Sequence, residues 1–247
     1  MLLANAMSAA PPFSVIVVSQ NSGSRLQATL GSAWEQRWIQ PQLIVVDRAS
    51  PENTRAWLQA QRARIGALVF LDERQSIFEG LNQAIAAAAG EWVLILEAGD
   101  RLVGDMVLTE ALNWMRKTEA GAVAGQASYD DGHIEKLRGR VHPISRNFLP
   151  RGSTFYRRSL FNENGVFDLK FLAMADYEFN ARLWKNRVRF KPIGLRVIAS
   201  SVRRHFTWLA CQEQIRVRHA YFPAWRCWPW DALSLLRFLR GSLHGKP

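Results

Sequence analysis

Four short apolar runs, each breaking off at polar or acidic residues, constrain this chain more than anything else in it. FSVIVVS (13–19), QLIVVD (42–47), ALVFLD (67–72) and EWVLIL (91–96) are rich in β-branched and other apolar residues and too short for buried helices, so they read as strands. Between them lie stretches with helical spacing. Leu26, Leu30, Ala33 and Trp34 mark a helix within 24–37, and Ile77, Leu81 and Ile85 recur every four residues within 76–89. Ser50, Pro51 and Glu52 carry the capping, first-turn and dipole preferences of a helix start, predicting a helix to about residue 64. Strands this uniformly apolar are buried on both faces. Strand–helix alternation then implies an α/β fold, a parallel sheet covered by helices above and below.

In such sheets ligands bind beyond the carboxyl ends of the strands. Ser19, Asn21, Asp47, Asp72, Glu97 and Asp100 all fall there. The segment WVLILEAGDR (92–101) is the sharpest case, because a buried strand stops at Glu97 and a small turn follows it with Asp100. A solvated loop would explain these residues as well as a cation or phosphate site. No GxGxxG follows the first strand and no GxxxxGK[ST] occurs anywhere, so the two common glycine-rich phosphate cradles are absent. Phosphate would have to be held through a hard divalent cation bridged by carboxylates. Glu97 and Asp100 are therefore expected to project into one cleft with Asp47.

At 247 residues and 48% apolar, the chain can form one large domain or a domain with an appendage. No apolar run approaches the ~18 residues of a membrane span, and the opening segment 1–12 reads as a loose tail without a signal-peptide pattern. Cys211 and Cys227 lack metal-ligand spacing and read as reduced thiols of a cytosolic protein. Charge is uneven: residues 1–100 hold 7 Lys and Arg against 9 Asp and Glu, and residues 101–247 hold 25 against 12, a net of −2 and +13. The basic part points to an anionic partner or to simple solvation.

Four blocks of the chain together resemble the family 2 glycosyltransferases of the GT-A fold, closest to the colanic-acid-type bacterial enzymes of surface polysaccharide synthesis. These are FSVIVVSQN, LIVVDRASPENT, IFEGLNQAIAAAAGEWVLILEAGDRL and GSTFYRRSLFNENGVFDLKFLAMADYEFNARLW, within roughly residues 13–195. The resemblance implies an α/β GT-A sheet of the nucleotide-diphospho-sugar transferase type, Rossmann-like, with a helical C-terminal extension. It implies a nucleotide-sugar donor, a glycan or lipid-linked acceptor, and Mg²⁺ or Mn²⁺ as cofactor. Asp47 matches the base-contacting aspartate; Ser19, Asn21, Glu79 and Asn82 match donor-side positions; Asp100, with Glu97, matches the metal-binding end of the DxD-type motif. Gly99 stands where many members carry the ribose-contacting aspartate, a departure the colanic-acid-type subgroup shares. Asp176 matches the catalytic base of inverting members. Read from the residues alone, Asp176 in the first turn of the helix ADYEFNARLW is equally a helix-dipole residue.

The expected organisation is a tail (1–12), a GT-A domain (13–205) with a nucleotide-binding half (13–104) and an acceptor half (105–205), and a basic, aromatic-rich helical extension (206–247). Arg151, Arg157 and Arg158 flank the acceptor block, and Arg203, Arg204 and His205 offer a late diphosphate or metal contact. The segment YFPAWRCWPWDALSLLRFLRGSL interleaves aromatics, leucines and arginines. It is read either as a helix packed on its own domain or on a homodimer mate, or as one lying in an anionic membrane surface. The latter would place the protein peripherally at the inner face of the plasma membrane. Two rival readings are a degenerate, nucleotide-binding family member and a nucleic-acid-binding protein; no recognition motif supports nucleic acid, and acidic strand ends repel it.

Overall fold

The computed structural model describes residues 10–136, 142–145, 147–201 and 206–244, the last four by backbone alone. All four predicted strands form: β1 (Phe13–Gln20), β2 (Gln42–Arg48), β3 (Ala67–Leu71) and β4 (Trp92–Glu97). They alternate with α1 (Gly23–Trp34), α2 (Glu52–Ala60) and α3 (Ile77–Ala87). Beyond them come β5 (Asp100–Leu102), α4 (Val107–Met115), β6 (Ala122–Tyr129), β7 (Ile134–Lys136), β8 (Thr154–Arg157), α5 (Ser159–Asn164), α6 (Ala175–Lys185), β9 (Phe190–Ser200), α7 (Trp208–Tyr221) and α8 (Ala224–His244). The helix expected up to residue 64 is α2 followed by a single 3₁₀ turn, Arg62–Arg64.

One sheet runs through the molecule in the order β3-β2-β1-β4-β8-β6-β9-β5, with β7 paired to β6. The period-two rule of a strand explains its two faces. Phe13, Val15 and Val17 of β1 and Leu43 and Val45 of β2 enter one core layer with Leu26 and Leu30 of α1 and Leu108 and Met115 of α4. The intervening Ile16, Ile44 and Val46 enter the opposite layer with Phe78, Leu81 and Ile85 of α3 and Tyr177, Phe179 and Leu183 of α6. Both faces are dry, which is why these runs lack polar alternation.

The sheet is mixed, with parallel pairing among β1 to β4 and again between β6 and β9. β1, β2, β3 and β4 pair in parallel, but β8 runs antiparallel to both β4 and β6, and β5 antiparallel to β9. Among the described residues no helix lies between β6 and β8. Strands that return without a crossover helix pair antiparallel, as β8 does, while the parallel sheet expected from the βα alternation of the first hundred residues forms among β1 to β4.

Helices α7 and α8 close the far side of α6. Glu213 of α7 is buried and accepts three backbone N–H groups, from Leu172, Ala173 and Met174, in the loop that leads into α6. Arg218, also buried, donates to the carbonyls of Ile144 and Ser145 and to Asp231 and Ser234 of α8. A carboxylate spent on unpaired N–H groups and a guanidinium spent on unpaired carbonyls satisfy backbone that no strand or helix could.

Candidate active site

The carboxyl ends of β1, β2 and β4 open into a cavity of about 560 Å³. Gln20, Arg48 and Glu97 bring the strand ends to it, and Ser76 and Glu79 bring the start of α3. Arg151, Gly152, Tyr156, Asp176 and Asn180 form its wall in the second half of the chain. Arg25, Arg48, Arg74 and Arg151 set four cations against the three carboxylates Glu79, Glu97 and Asp176. A second cavity of about 470 Å³ shares Glu97, Asn147, Leu149, Arg151 and Asp176 with the first, and continues past Met174, Phe206, Thr207, Gln214 and Arg237. The shared residues are a partition with a cavity on either side.

Arg151 ties the partition together. Its Nη1 donates to Glu97 Oε1 at 2.8 Å, and its Nε and Nη2 donate to Asp176 Oδ2 at 2.9 and 2.5 Å. Burial opposes the charge on Arg151, but the two carboxylates outweigh it and raise its pKa above the usual guanidinium value. Asp176, the second residue of α6, makes no capping bond to its own helix. Its Oδ2 is held by Arg151 and by Asn147 Nδ2 at 3.0 Å, while Oδ1 is buried with no hydrogen-bond partner among the described residues. Asn180, one turn further along α6, donates to Asn147 Oδ1 and accepts from the Tyr156 hydroxyl. Burial, reinforced by Asp176, raises the Tyr156 pKa, keeping that hydroxyl a donor.

Of the three acidic residues expected in one cleft, only Glu97 lines the cavity. Asp100 is buried in the turn: Oδ2 accepts from the Glu97 N–H at 2.8 Å and Oδ1 from Ser200, its partner in the β5–β9 register. Gly152, at φ +79°, lies over this carboxylate, and a Cβ there would stand 2.9 Å from Asp100 Oδ2. Gly152 lines the cavity, so Asp100 lies directly behind the cavity wall. No three His, Cys, Asp or Glu among the described residues converge as a metal site. A hard cation bound mainly by substrate phosphates needs only one or two protein carboxylates, and to that requirement a hydrogen-bond-oriented Asp100 beside Glu97 fits.

Asp47 is likewise buried rather than lining the cavity, because the chain end of β2 turns it inward. Its Oδ1 accepts from the Ser50 hydroxyl at 2.6 Å, and Oδ2 lies 3.9 Å from Arg55 Nε without a hydrogen bond. Ser19, its register partner on β1, is buried with an unpartnered hydroxyl among the described residues. Asn21 is exposed in a left-handed conformation, φ 47°, its N–H donating to Ser50 Oγ. Glu79 lines the cavity and closes the capping box of α3 with Ser76. Asn82 points elsewhere: its amide exchanges two hydrogen bonds with the backbone of Phe167, bracing α3 against the loop after α5. Asp72 makes a local turn, accepting from the N–H groups of Arg74 and Gln75.

Arg157 pairs with Glu91 and Arg158 donates to the Gly90 carbonyl, so of the three arginines flagged in the acceptor block only Arg151 reaches the cavity. Arg203, Arg204 and His205 lie outside the described residues. Sequence reasoning missed Asn147, Tyr156 and Asn180. For Asn180 a signal exists, since it follows Asp176 by four residues and shares its helix face; Asn147 and Tyr156 arrive through tertiary packing alone.

The family model described as Glycosyl transferase family 2 matches residues 14–184. A protein of Mycobacterium bovis (strain BCG / Pasteur 1173P2) named PGL/p-HBAD biosynthesis glycosyltransferase is 27% identical over 187 residues, covering 72% of each chain. An uncharacterized glycosyltransferase of Mycobacterium tuberculosis (strain ATCC 25618 / H37Rv) is 29% identical over 185 residues, covering 71% of this chain and 70% of its own. Among solved structures, S. aureus TarS 1-349 in complex with UDP-GlcNAc superposes with a TM-score of 0.67 at 18% identity, covering 83% of this chain and 64% of that one. The chain thus spans less than two thirds of the TarS structure. The mannosyltransferase PcManGT from Pyrobaculum calidifontis, in complex with GDP-Man and Mn²⁺, has a TM-score of 0.62 at 19% identity, covering 97% and 77%. At these identities the structures speak for a shared GT-A fold.

Proposed function

Since the chain belongs to glycosyl transferase family 2, we propose that it moves a sugar from a nucleotide-sugar donor to an acceptor hydroxyl with inversion, using Asp176 as general base. The observation that carries this reading is the state of Asp176. One carboxylate oxygen is fixed by Arg151 and Asn147, and the other, buried, has no partner among the described residues, on a side chain that lines both cavities. A general base needs a free lone pair within hydrogen-bond reach of the proton it takes.

In this reading the donor occupies the cavity at the strand ends and the acceptor approaches from the second cavity. The acceptor oxygen bonds to the anomeric carbon as the bond from that carbon to the diphosphate breaks. The hydroxyl proton passes to Asp176 Oδ1, and the nucleoside diphosphate leaves. Arg48 and Arg74 stand on the donor cavity where they can meet phosphate charge, and Asp47 with Ser19, each with a buried oxygen that has no partner among the described residues, supports recognition of the base. Mg²⁺ or Mn²⁺, when bound, supplies positive charge to the leaving diphosphate, with Asp100 and Glu97 as the residues to hold it. The mycobacterial relative's name and the resemblance to surface-polysaccharide enzymes both support a glycan or lipid-linked acceptor in cell-surface biosynthesis.

A second reading, nucleotide binding without turnover, is favoured by one observation: Arg151 engages both Glu97 and Asp176. Asp176→Asn separates the two, because it keeps shape and hydrogen bonding but cannot take the proton. Turnover is expected to fall at least about a hundredfold with nucleotide-sugar affinity in calorimetry unchanged. Retained turnover refutes the base assignment, and a wild-type protein that binds UDP- or GDP-sugars yet neither transfers nor hydrolyses them with Mn²⁺ present establishes the second reading.

A further inference from the structure

Helix α8 is amphipathic the wrong way round for a helix whose only neighbour is its own domain. Its inward face is small and polar. Cys227 and Ser234 are buried, Ser234 bonds to Arg218 and Gln214, and Asp231, the sole carboxylate of the helix, pairs with Arg218 and His219. Its outward face carries Trp225, Trp228, Ala232, Leu236 and Leu239, spaced three and four apart and so aligned in one stripe along the helix. Trp225 is 75% exposed, Trp228 68%, Leu236 50% and Leu239 54%. Trp208, exposed at the start of α7, packs its ring against Phe238 beside the inward face of α8. Arg226, Arg237 and Arg240 flank the outward stripe.

We propose that this face docks on an anionic lipid bilayer, with α8 lying in the interface plane. Large exposed apolar stripes on a folded surface mark an interaction site. Tryptophan and leucine with arginine alongside suit the headgroup–acyl boundary, where an amphipathic ring and a long cationic side chain are both satisfied. No described helix is long and apolar enough to cross a membrane, so the helix lies on the surface rather than spanning it. Charge selects the bilayer over a second copy of the chain. The protein carries a net +11, concentrated after residue 100, and pairing two such faces would set like charges together, whereas an anionic surface complements them. Arg237 belongs both to α8 and to the wall of the second cavity, so docking brings that cavity to the membrane. That last consequence rests on the glycosyl-transfer reading; the docking does not.

Vesicle flotation of the full chain tests it, using phosphatidylcholine alone and phosphatidylcholine with phosphatidylglycerol. The protein is expected to float with the anionic vesicles, less so as salt is raised. Trp225→Ser with Trp228→Ser, both solvent-facing and so compatible with an unchanged melting temperature, should weaken binding at least about tenfold. Arg226→Gln should reduce the salt dependence. Absence of flotation at low salt, or a double variant that floats like the parent, overturns the proposal. So does light scattering that finds a dimer dissolved by the double substitution, which makes the face a contact between copies. Nucleotide-sugar binding, measured on the same proteins, is expected to be unaffected, and its loss in the parent would count against the glycosyl-transfer reading alone.

Discussion

The sheet's two halves are stabilised by different chemistry. From β1 to β4 the interior is mostly apolar: buried polar groups such as Ser14, Ser19 and Asp47 sit at the strand ends, and between them both faces are packed by side chains that need only to leave water. On the other side of the partition the interior holds Arg218, Glu213, Glu178 and Asn180, all buried and all hydrogen-bonded. Glu178 accepts from both Arg182 and the Tyr221 hydroxyl. Removing apolar area costs stability locally and leaves the remaining geometry in place, whereas removing one member of a charged network leaves its partners buried and unsatisfied. The donor half should therefore tolerate damage without loss of chemistry, and the acceptor half should not.

Arg151→Met is the largest test of this contrast. It strips the countercharge from Glu97 and Asp176 together, and turnover is expected to fall at least about a hundredfold with a stability loss of about 3 kcal/mol, read by activity and by denaturant midpoint. A stable, active Arg151→Met enzyme would erase the distinction. Leu30→Ala, in the apolar half, should cost about 2–5 kcal/mol through the cavity it leaves, yet the folded fraction should keep its turnover. Glu213→Gln keeps one acceptor for three N–H groups and should cost about 1–3 kcal/mol, with turnover falling because the loop entering α6 positions Asp176. Asn82→Ala is the smallest, about 1 kcal/mol of stability with donor affinity unchanged in calorimetry; a loss of affinity without a loss of stability would make Asn82 a donor contact after all.

How legible each half is in the sequence follows from the same contrast. Strands β1 to β4 are readable because dry faces demand continuous apolar runs, and α3 because Ser76, Glu79 and a four-residue apolar repeat coincide. Helix α7 is not readable that way. Its inward residues include Glu213, Gln214 and Arg218, so apolar periodicity fails where the buried partners are backbone carbonyls and N–H groups far off in sequence. The site divides similarly. Glu97, Glu79 and Asp176 line the cavity, but Asp47 and Asp100 turn inward onto Ser50, Ser200 and a backbone N–H, and Asn82 serves as a brace. No local pattern announces the hydrogen bond a side chain makes across the fold, which is why Asn147 and Tyr156 stayed invisible.

Gly152 has a consequence for how this protein can vary. Three demands meet there: a left-handed backbone, the Ile198 side chain 2.6 Å from where a Cβ would sit, and the Asp100 carboxylate close behind. Asn, the usual substitute for glycine in left-handed turns, meets only the first. Gly104, also at positive φ but with open space around it, lacks the other two demands. Saturation of both positions should leave Gly104 permissive to Asn and Asp, while every substitution at Gly152 should cost stability. The least replaceable side chain in the site is then a hydrogen atom.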